Sequence, residues 1–324
     1  MTPDRSAPSG AELGERLRAG DLRAAPAVLN LVENRRQGGP QETAALLREV
    51  SPAALGGEAP AHVVGVTGPP GAGKSSLLSE LVRHWRGEGR SVAVLAVDPT
   101  SKRSGGALLG DRARIAFDPA DRDVFIRSTA AGDRLGGLAA STRAAAQALA
   151  AAFDVVVIET VGVGQSETDV ADVADTVAVI VQPGSGDVLQ FLKAGIMEVP
   201  DVLVVTKADM GAVALSARRD LAAALRALGA DTDVVAVSSV APPSGIDELA
   251  AALDAHRREI DLGARRRRAR RRHALADFTA EHGERGLRAL GGRRAAEEWL
   301  EGQDAGLDVP AITRALEARS LEDA

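Results

Sequence analysis

Between residues 61 and 255 the chain alternates short apolar runs with Ala- and Leu-rich stretches of helical spacing. The runs are HVVGVT (62–67), SVAVLAV (91–97), DVFIR (123–127), DVVVIE (154–159), TVAVIV (176–181), DVLVVT (201–206) and DVVAVS (233–238). They are nearly continuous rather than alternating, which marks strands buried on both faces, as in a parallel sheet covered by helices. Strand–helix alternation repeated this often predicts an α/β fold with a doubly wound, mostly parallel sheet. Residues 1–60 read as helical, with breaks at 20–21, 38–40 and 56–60. Asp21 is expected to cap the helix in LRAAPAVLNLVENRR, with Pro26 early in it and delaying its start. Residues 256–324 return to helix. The expected division is an N-terminal helical region (1–60), the sheet domain (61–255) and a C-terminal helical arm (256–324), with no internal repeat.

The stretch GPPGAGKSS (68–76) separates the first strand from a helix. Gly68 to Ser75 fit G-x-x-x-x-G-K-[ST] in the strand–loop–helix context that the motif requires. The glycines Gly68, Gly71 and Gly73 allow consecutive backbone amides around Pro69, Pro70 and Ala72 to point at an anion. The helix N-terminus adds partial positive charge. Lys74 is placed to reach the β- and γ-phosphates of a nucleotide and the Ser75 hydroxyl to ligate Mg²⁺. Ser76 belongs to the helix.

A second acidic element, Glu159-Thr-Val-Gly162, closes the DVVVIE strand. Glu159 can hold the water shell of Mg²⁺, and the Gly162 amide can meet the γ-phosphate. Asp98, at the end of the second run, and Asp111, in a Gly-rich loop, are further candidates for Mg²⁺ or water positioning. A loop-capping role is the alternative for both. Gln165, shortly after Gly162, is a candidate for orienting the attacking water, or else a loop glutamine facing a partner.

The sixth run ends in Thr206-Lys-Ala-Asp209, which fits [NT]-K-x-D. The Asp209 carboxylate can accept from both N1–H and the 2-amino group of guanine. Adenine lacks that amino group and would leave the carboxylate unpaired. The Lys207 stem lies along the base plane in this reading. Ser238, Ser239 and Val240, at the end of the seventh run, are placed to offer backbone N–H to guanine O6.

Composition narrows the classes. The 324 residues are 45% hydrophobic, enough for a sizeable core, and no run approaches the roughly 18 apolar residues of a membrane span. There is no Cys, which excludes disulfides and thiolate chemistry, and the five His show no metal-ligand spacing. The N-terminal segment has no apolar signal region and carries acids, so a cytoplasmic location is expected. The net charge is −6, and seven Arg crowd into residues 265–272. Without them the chain would stand at −13, acidic enough to neutralise the run. No aromatics interleave with it for base stacking, so no nucleic-acid partner is expected. Trp85 and Trp299 read as packing anchors.

The stretches ETVGVGQSE (159–167), AVDPTS (96–101), SGGALLGDRAR (104–114), QPGSGDVLQ (182–190) and KAGIMEVPD (193–201) resemble the methylmalonyl-CoA mutase-associated GTPases of the MeaB/ArgK type. The similarity runs from about residue 20 to 253. It implies a P-loop GTPase of the dimeric metallochaperone class that attends adenosylcobalamin-dependent acyl-CoA mutases, gating cofactor delivery and protecting or rescuing the mutase. It further implies GTP/GDP and Mg²⁺ as ligands, Asp98, Asp111 and Glu159 as the acidic Mg²⁺-linked residues, a dimerising C-terminal arm, and loop 183–190 as a switch that couples nucleotide state to the mutase. Two positions depart from the family pattern. Thr206 stands where Asn is usual, which removes an amide contact. Residues 128–137 leave the place of an expected arginine to Arg134 or to nothing.

Three other functions compete with the mutase chaperone. A nickel-insertion GTPase is disfavoured by the absence of Cys and of a His-rich tract. An ATP-dependent kinase or transport ATPase is disfavoured by Asp209. A nucleotide-gated scaffold without useful turnover is left open by Gln165.

Overall fold

Among the described residues, four α-helices precede the first strand: α1 (Gly10–Arg18), α2 (Ala25–Val32), α3 (Gly39–Glu49) and α4 (Pro52–Leu55). The computed structural model describes residues 8–34, 36–98, 115–130, 138–160, 170–184, 200–227, 229–230 and 232–322. Helix α1 starts with a capping box: Ser9 Oγ accepts from Glu12 N, and the Glu12 carboxylate accepts from Ser9 N. Asp21 does not cap the α-helix as expected. It accepts from Arg23 N at 3.1 Å and caps a 3₁₀ turn, Leu22–Ala24. The α-helix then starts at Ala25, because Pro26 has no N–H to give and fits only the first turn. Ser51 makes a further break, accepting from Ala54 N to cap α4.

The chain continues as β1 (His62–Thr67), α5 (Lys74–Gly87), β2 (Val92–Asp98), β3 (Val124–Ala130), α6 (Ala140–Leu149), β4 (Val155–Glu159), β5 (Thr176–Val181), β6 (Val202–Val205), α7 (Ala212–Ala227), β7 (Asp233–Ala236) and α8 (Ile246–Glu259). Helices α9 (Leu262–Ala289, broken at Gly283), α10 (Arg293–Glu301) and α11 (Val309–Glu322) complete it. All described strand pairs are parallel, in the order β3-β2-β4-β1-β5-β6-β7. This is the doubly wound α/β sheet expected from the apolar runs. Every residue of β1, β4 and β6 is buried. The two edge strands are less buried: β7 has Asp233 exposed and the rest half-buried, and in β3 Val124, Phe125, Arg127 and Ser128 are half-buried.

The described chain groups into two compact units, residues 61–146 with 153–260 and residues 1–60 with 147–152 and 261–324. In the sheet unit, Leu77, Leu78, Leu81 and Trp85 of α5 pack in one core with Val64, Val66, Val92 and Val94. Each such side chain contributes about 1.5–3 kcal/mol on full burial, so α5 is firmly seated beside β1. At the opposite, N-terminal ends of the strands, buried His62 lies 3.3 Å from Asp254 Oδ1 through Nδ1 and 2.8 Å from Thr176 Oγ1 through Nε2. Burial lowers the His62 pKa below the usual histidine range. Burial also opposes the charge on Asp254, but the His62 hydrogen bond and the Arg90 guanidinium at 2.9 Å outweigh it and hold its carboxyl at about 2.

In the helical unit, Leu275, Phe278, Leu287, Leu300, Ile312 and Leu316 form the core of the last three helices, with Trp299 against it. The arginine run is used inside this unit. Buried Arg270 makes a bidentate pair with Glu58 at 2.8 and 2.9 Å and donates to Ala305 O. Arg266 donates to Ala59 O, and Arg271 to Glu301 O and Gln303 O.

Candidate functional site

In a doubly wound sheet, ligands bind beyond the carboxyl ends of the strands, where the strand order reverses. Strand β1 lies at that point, flanked by β4 and β5. The segment that leaves it turns at once into α5, and its glycines make the turn possible. Gly68 has φ 139°, and a Cβ there would come within 2.1 Å of Ile180 O. Gly73 has φ 91° and is the N-cap of α5, with no side chain capping the helix. The first-turn amides therefore face the loop, the arrangement that attracts an anion.

Lys74 opens α5 with only 8% of its surface exposed. Its ammonium donates to Gly68 O at 2.7 Å and Pro69 O at 3.2 Å, so the positive charge is folded across the loop. Ser75 Oγ donates to Glu159 Oε1 at 3.1 Å. Glu159 is 3% exposed and ends β4, in register with Val66 of β1 and Ala96 of β2. The strand order thus joins two residues 84 positions apart. Ser76 is exposed on α5, and Pro70 is exposed on the loop.

Asp98 is the last residue of β2, two positions beyond the residue in register with Glu159, so its backbone is at the same end of the sheet. Its side chain lies outside the described residues, as do Asp111, Gly162, Gln165, Arg134 and residues 185–190 of the expected switch loop.

The second half of the site is built where β5, β6 and β7 end side by side. Thr206 is 4% exposed, and its Oγ1 lies 2.7 Å from Ala72 O and 3.1 Å from Val181 O. Thr206 thus offers a hydroxyl donor to the loop that leaves β1. Lys207 has φ 56° and ψ 42° and starts the 3₁₀ turn Ala208–Met210. Its Nζ donates to Gln182 Oε1 at 2.6 Å. Asp209 Oδ1 accepts from Ser238 Oγ at 2.8 Å, and Val240 N donates to the same hydroxyl at 3.2 Å.

Ser238, Ser239 and Val240 do not act alike as amide donors. Ser238 N is bonded to Ser244 O and Val240 N to the Ser238 hydroxyl. Ser239 N has no partner among the described residues. Sequence reasoning did not identify Gln182 as the partner of Lys207, nor Ser238 as the group that holds the Asp209 carboxylate. The only available signal was position, since both lie at a strand's C-terminal end.

Comparisons with known proteins bear on this geometry. Residues 7–286 match the family model described as Methylmalonyl Co-A mutase-associated GTPase MeaB. A protein of Pyrococcus abyssi named as a GTPase is 44% identical over 269 residues, spanning 81% of this chain and 80% of that protein. The mouse protein named methylmalonic aciduria type A homolog, mitochondrial, is 43% identical over 157 residues, spanning 48% of this chain and 38% of that protein. A crystal structure described as LAO/AO transport system kinase shares 27% identity with a TM-score of 0.64 and covers 98% of this chain and 99% of its own.

Proposed function

Because this chain belongs to the methylmalonyl-CoA mutase-associated GTPase family, we propose that its hydrolysis of GTP serves an adenosylcobalamin-dependent acyl-CoA mutase, as a G-protein chaperone that loads, protects or reactivates that enzyme. The chain is a GTPase, and its substrate is GTP. The match over residues 7–286 carries the choice of partner. The Asp209 carboxylate, aimed by Ser238 at 2.8 Å, supports the choice of base.

In this proposal the phosphates lie on the amides from Gly68 to Ser75 and on the N-terminus of α5. Lys74 exchanges the carbonyls of Gly68 and Pro69 for oxygens of the β- and γ-phosphates. Asp209 accepts from guanine N1–H and the 2-amino group, Ser239 N donates to O6, and the Lys207 stem covers the base plane. The Ser75 hydroxyl and Glu159 carboxylate are hard oxygen donors 3.1 Å apart, a donor set that fits Mg²⁺. The ion would neutralise charge on the β- and γ-phosphates. Asp98 and Asp111 are proposed as further acidic groups around it, Gly162 N as the γ-phosphate contact and Gln165 as the group that orients the attacking water. Catalysis is then chiefly positioning and charge stabilisation.

The proposal includes a homodimer formed through the C-terminal helices and action in the cytoplasm. No helix among the described residues is long and apolar enough to cross a membrane. Light scattering distinguishes a dimer from the 33.4 kDa monomer.

The decisive experiment is phosphate release from GTP, with ATP as control, with and without an adenosylcobalamin-dependent acyl-CoA mutase. A GTP-only rate that rises several-fold with the mutase is expected. A GTP-only rate indifferent to the mutase would remove the partner, and equal use of ATP would remove the base assignment.

A further inference from the structure

Lys207 is the one non-glycine residue with positive φ among the described residues. A residue with a Cβ adopts that conformation only where its surroundings impose it, and such residues cluster at functional sites. Here the backbone on either side is fixed. Thr206 N donates to Val181 O, Ala208 N to Val237 O, and Met210 N to Lys207 O, each at 2.9 Å. These bonds fix where the side chain leaves the turn. They do not fix its far end, since Lys207 is exposed and its four-carbon stem has many rotamers.

Gln182 supplies the missing constraint. Val181 is in register with Val205, so Gln182 leaves β5 beside the turn that follows β6. Its Oε1 accepts from Lys207 Nζ at 2.6 Å. An amide oxygen is well suited to this task, because it fixes the ammonium without cancelling its charge as a carboxylate would.

We propose that Gln182 is a positioning residue for base recognition, clamping the Lys207 ammonium so that the lysine stem is held along the plane where the guanine ring lies. The inference rests on the reading of Lys207 as the residue that covers the base. A stem fixed by protein groups loses less conformational freedom when the nucleotide binds, which raises affinity without a new contact to the ligand. The clamp acts on the base half alone. Phosphate binding, which depends on the loop from Gly68 to Ser75, is independent of it.

The test is a double-mutant cycle read by calorimetry with GDP, and with inorganic tripolyphosphate as a probe of the phosphate loop alone. Gln182→Leu keeps the bulk and removes the acceptor. It should weaken GDP binding roughly threefold to tenfold and leave tripolyphosphate unchanged. Lys207→Met keeps an apolar stem and removes the ammonium. Adding Gln182→Leu to Lys207→Met should cost nothing further, because the clamp is already gone. Gln182→Glu restores an acceptor oxygen at the same reach but offsets the ammonium charge, so it should recover part of the GDP binding that Gln182→Leu loses.

A Gln182→Leu protein that binds GDP as the parent does overturns the inference. So does an equal loss in the Lys207→Met background, or a parallel loss for tripolyphosphate, since either would make Gln182 a general structural residue. If Lys207→Met itself binds GDP normally, the base-covering role of Lys207 fails and the inference fails with it. A weakened Lys207→Met beside an unaffected Gln182→Leu sinks the inference alone.

Discussion

The two halves of the proposed nucleotide site, a phosphate half and a base half, are built by different means. The phosphate half is one contiguous segment, Gly68 to Ser75, hung between a fully buried strand and a helix seated by Leu77, Leu78, Leu81 and Trp85. Its working groups are mostly backbone amides. The base half is assembled from the ends of three strands, and its bonds run between side chains: Lys207 to Gln182, and Asp209 to Ser238. One hydroxyl, Thr206 Oγ1 at 2.7 Å from Ala72 O, joins the halves. Backbone geometry stands or falls with a few glycines and one charge. A network of side chains loses function in steps.

The sharpest break in that comparison is Lys74→Ala. It removes the ammonium that is folded across the loop from Gly68 to Ser75, and kcat/KM for GTP should fall by about 10³-fold in single-turnover phosphate release. Retention of a tenth of the parent rate would show that the backbone alone carries this half.

In the base half, Asp209→Asn replaces an acceptor with an amide that cannot accept from both guanine donors. GDP affinity should fall by about 10²-fold, and xanthosine diphosphate, which carries an oxygen in place of the 2-amino group, should bind better than GDP. Unchanged preference between the two diphosphates would rule out Asp209 as the base reader.

The joint itself is probed by Thr206→Val, which keeps the shape and removes the hydroxyl. Ala72 O loses its donor in a buried setting, so stability to urea should drop by about 1–2 kcal/mol, with GDP and tripolyphosphate both weakened. A loss confined to GDP would mean that Thr206 serves the base half alone.

The smallest effect is expected at the far end of the sheet and serves as a control on both halves. Asp254 has its folded-state pKa depressed from 3.8 to about 2. A depressed carboxylate stabilises the fold above its unfolded pKa, and that contribution is lost as pH falls from about 4 through about 2. Allowing for solvent screening of a partly exposed group, the loss is about 1 kcal/mol. Acid unfolding curves should show it, and Asp254→Asn should flatten the curve in that window while leaving GDP affinity at neutral pH unchanged. A nucleotide-affinity change in Asp254→Asn would contradict the separation of the two ends.

The sheet was largely legible along the chain. The runs at 62–67 and 176–181 coincide with β1 and β5, and the others fall within a few residues of β2, β3, β4, β6 and β7. The reason is physical: a strand buried on both faces must be apolar at every position, and that writes itself into consecutive residues. Where burial relaxes, at the β3 and β7 edges, the uniform reading fails. Asp21 misled because a short carboxylate caps a 3₁₀ turn as readily as an α-helix, and Pro26 postpones the latter. The arginine run was ambiguous because a charge count does not reveal partners. Arg270 finds Glu58, 212 residues away.

The sequence by itself determined the strands and the glycine loop that leaves β1, and it supplied the residue types proposed to meet phosphate and guanine. Those features depend on local spacing and backbone freedom, which neighbouring residues encode directly. Only the tertiary structure decided that Glu159 stands beside Ser75, that Gln182 grips Lys207, that Ser238 aims Asp209 and that Thr206 ties one half of the site to the other. Each of those contacts arises from the order in which parallel strands pair across the sheet, and strand order is set by packing among distant segments rather than by any local pattern.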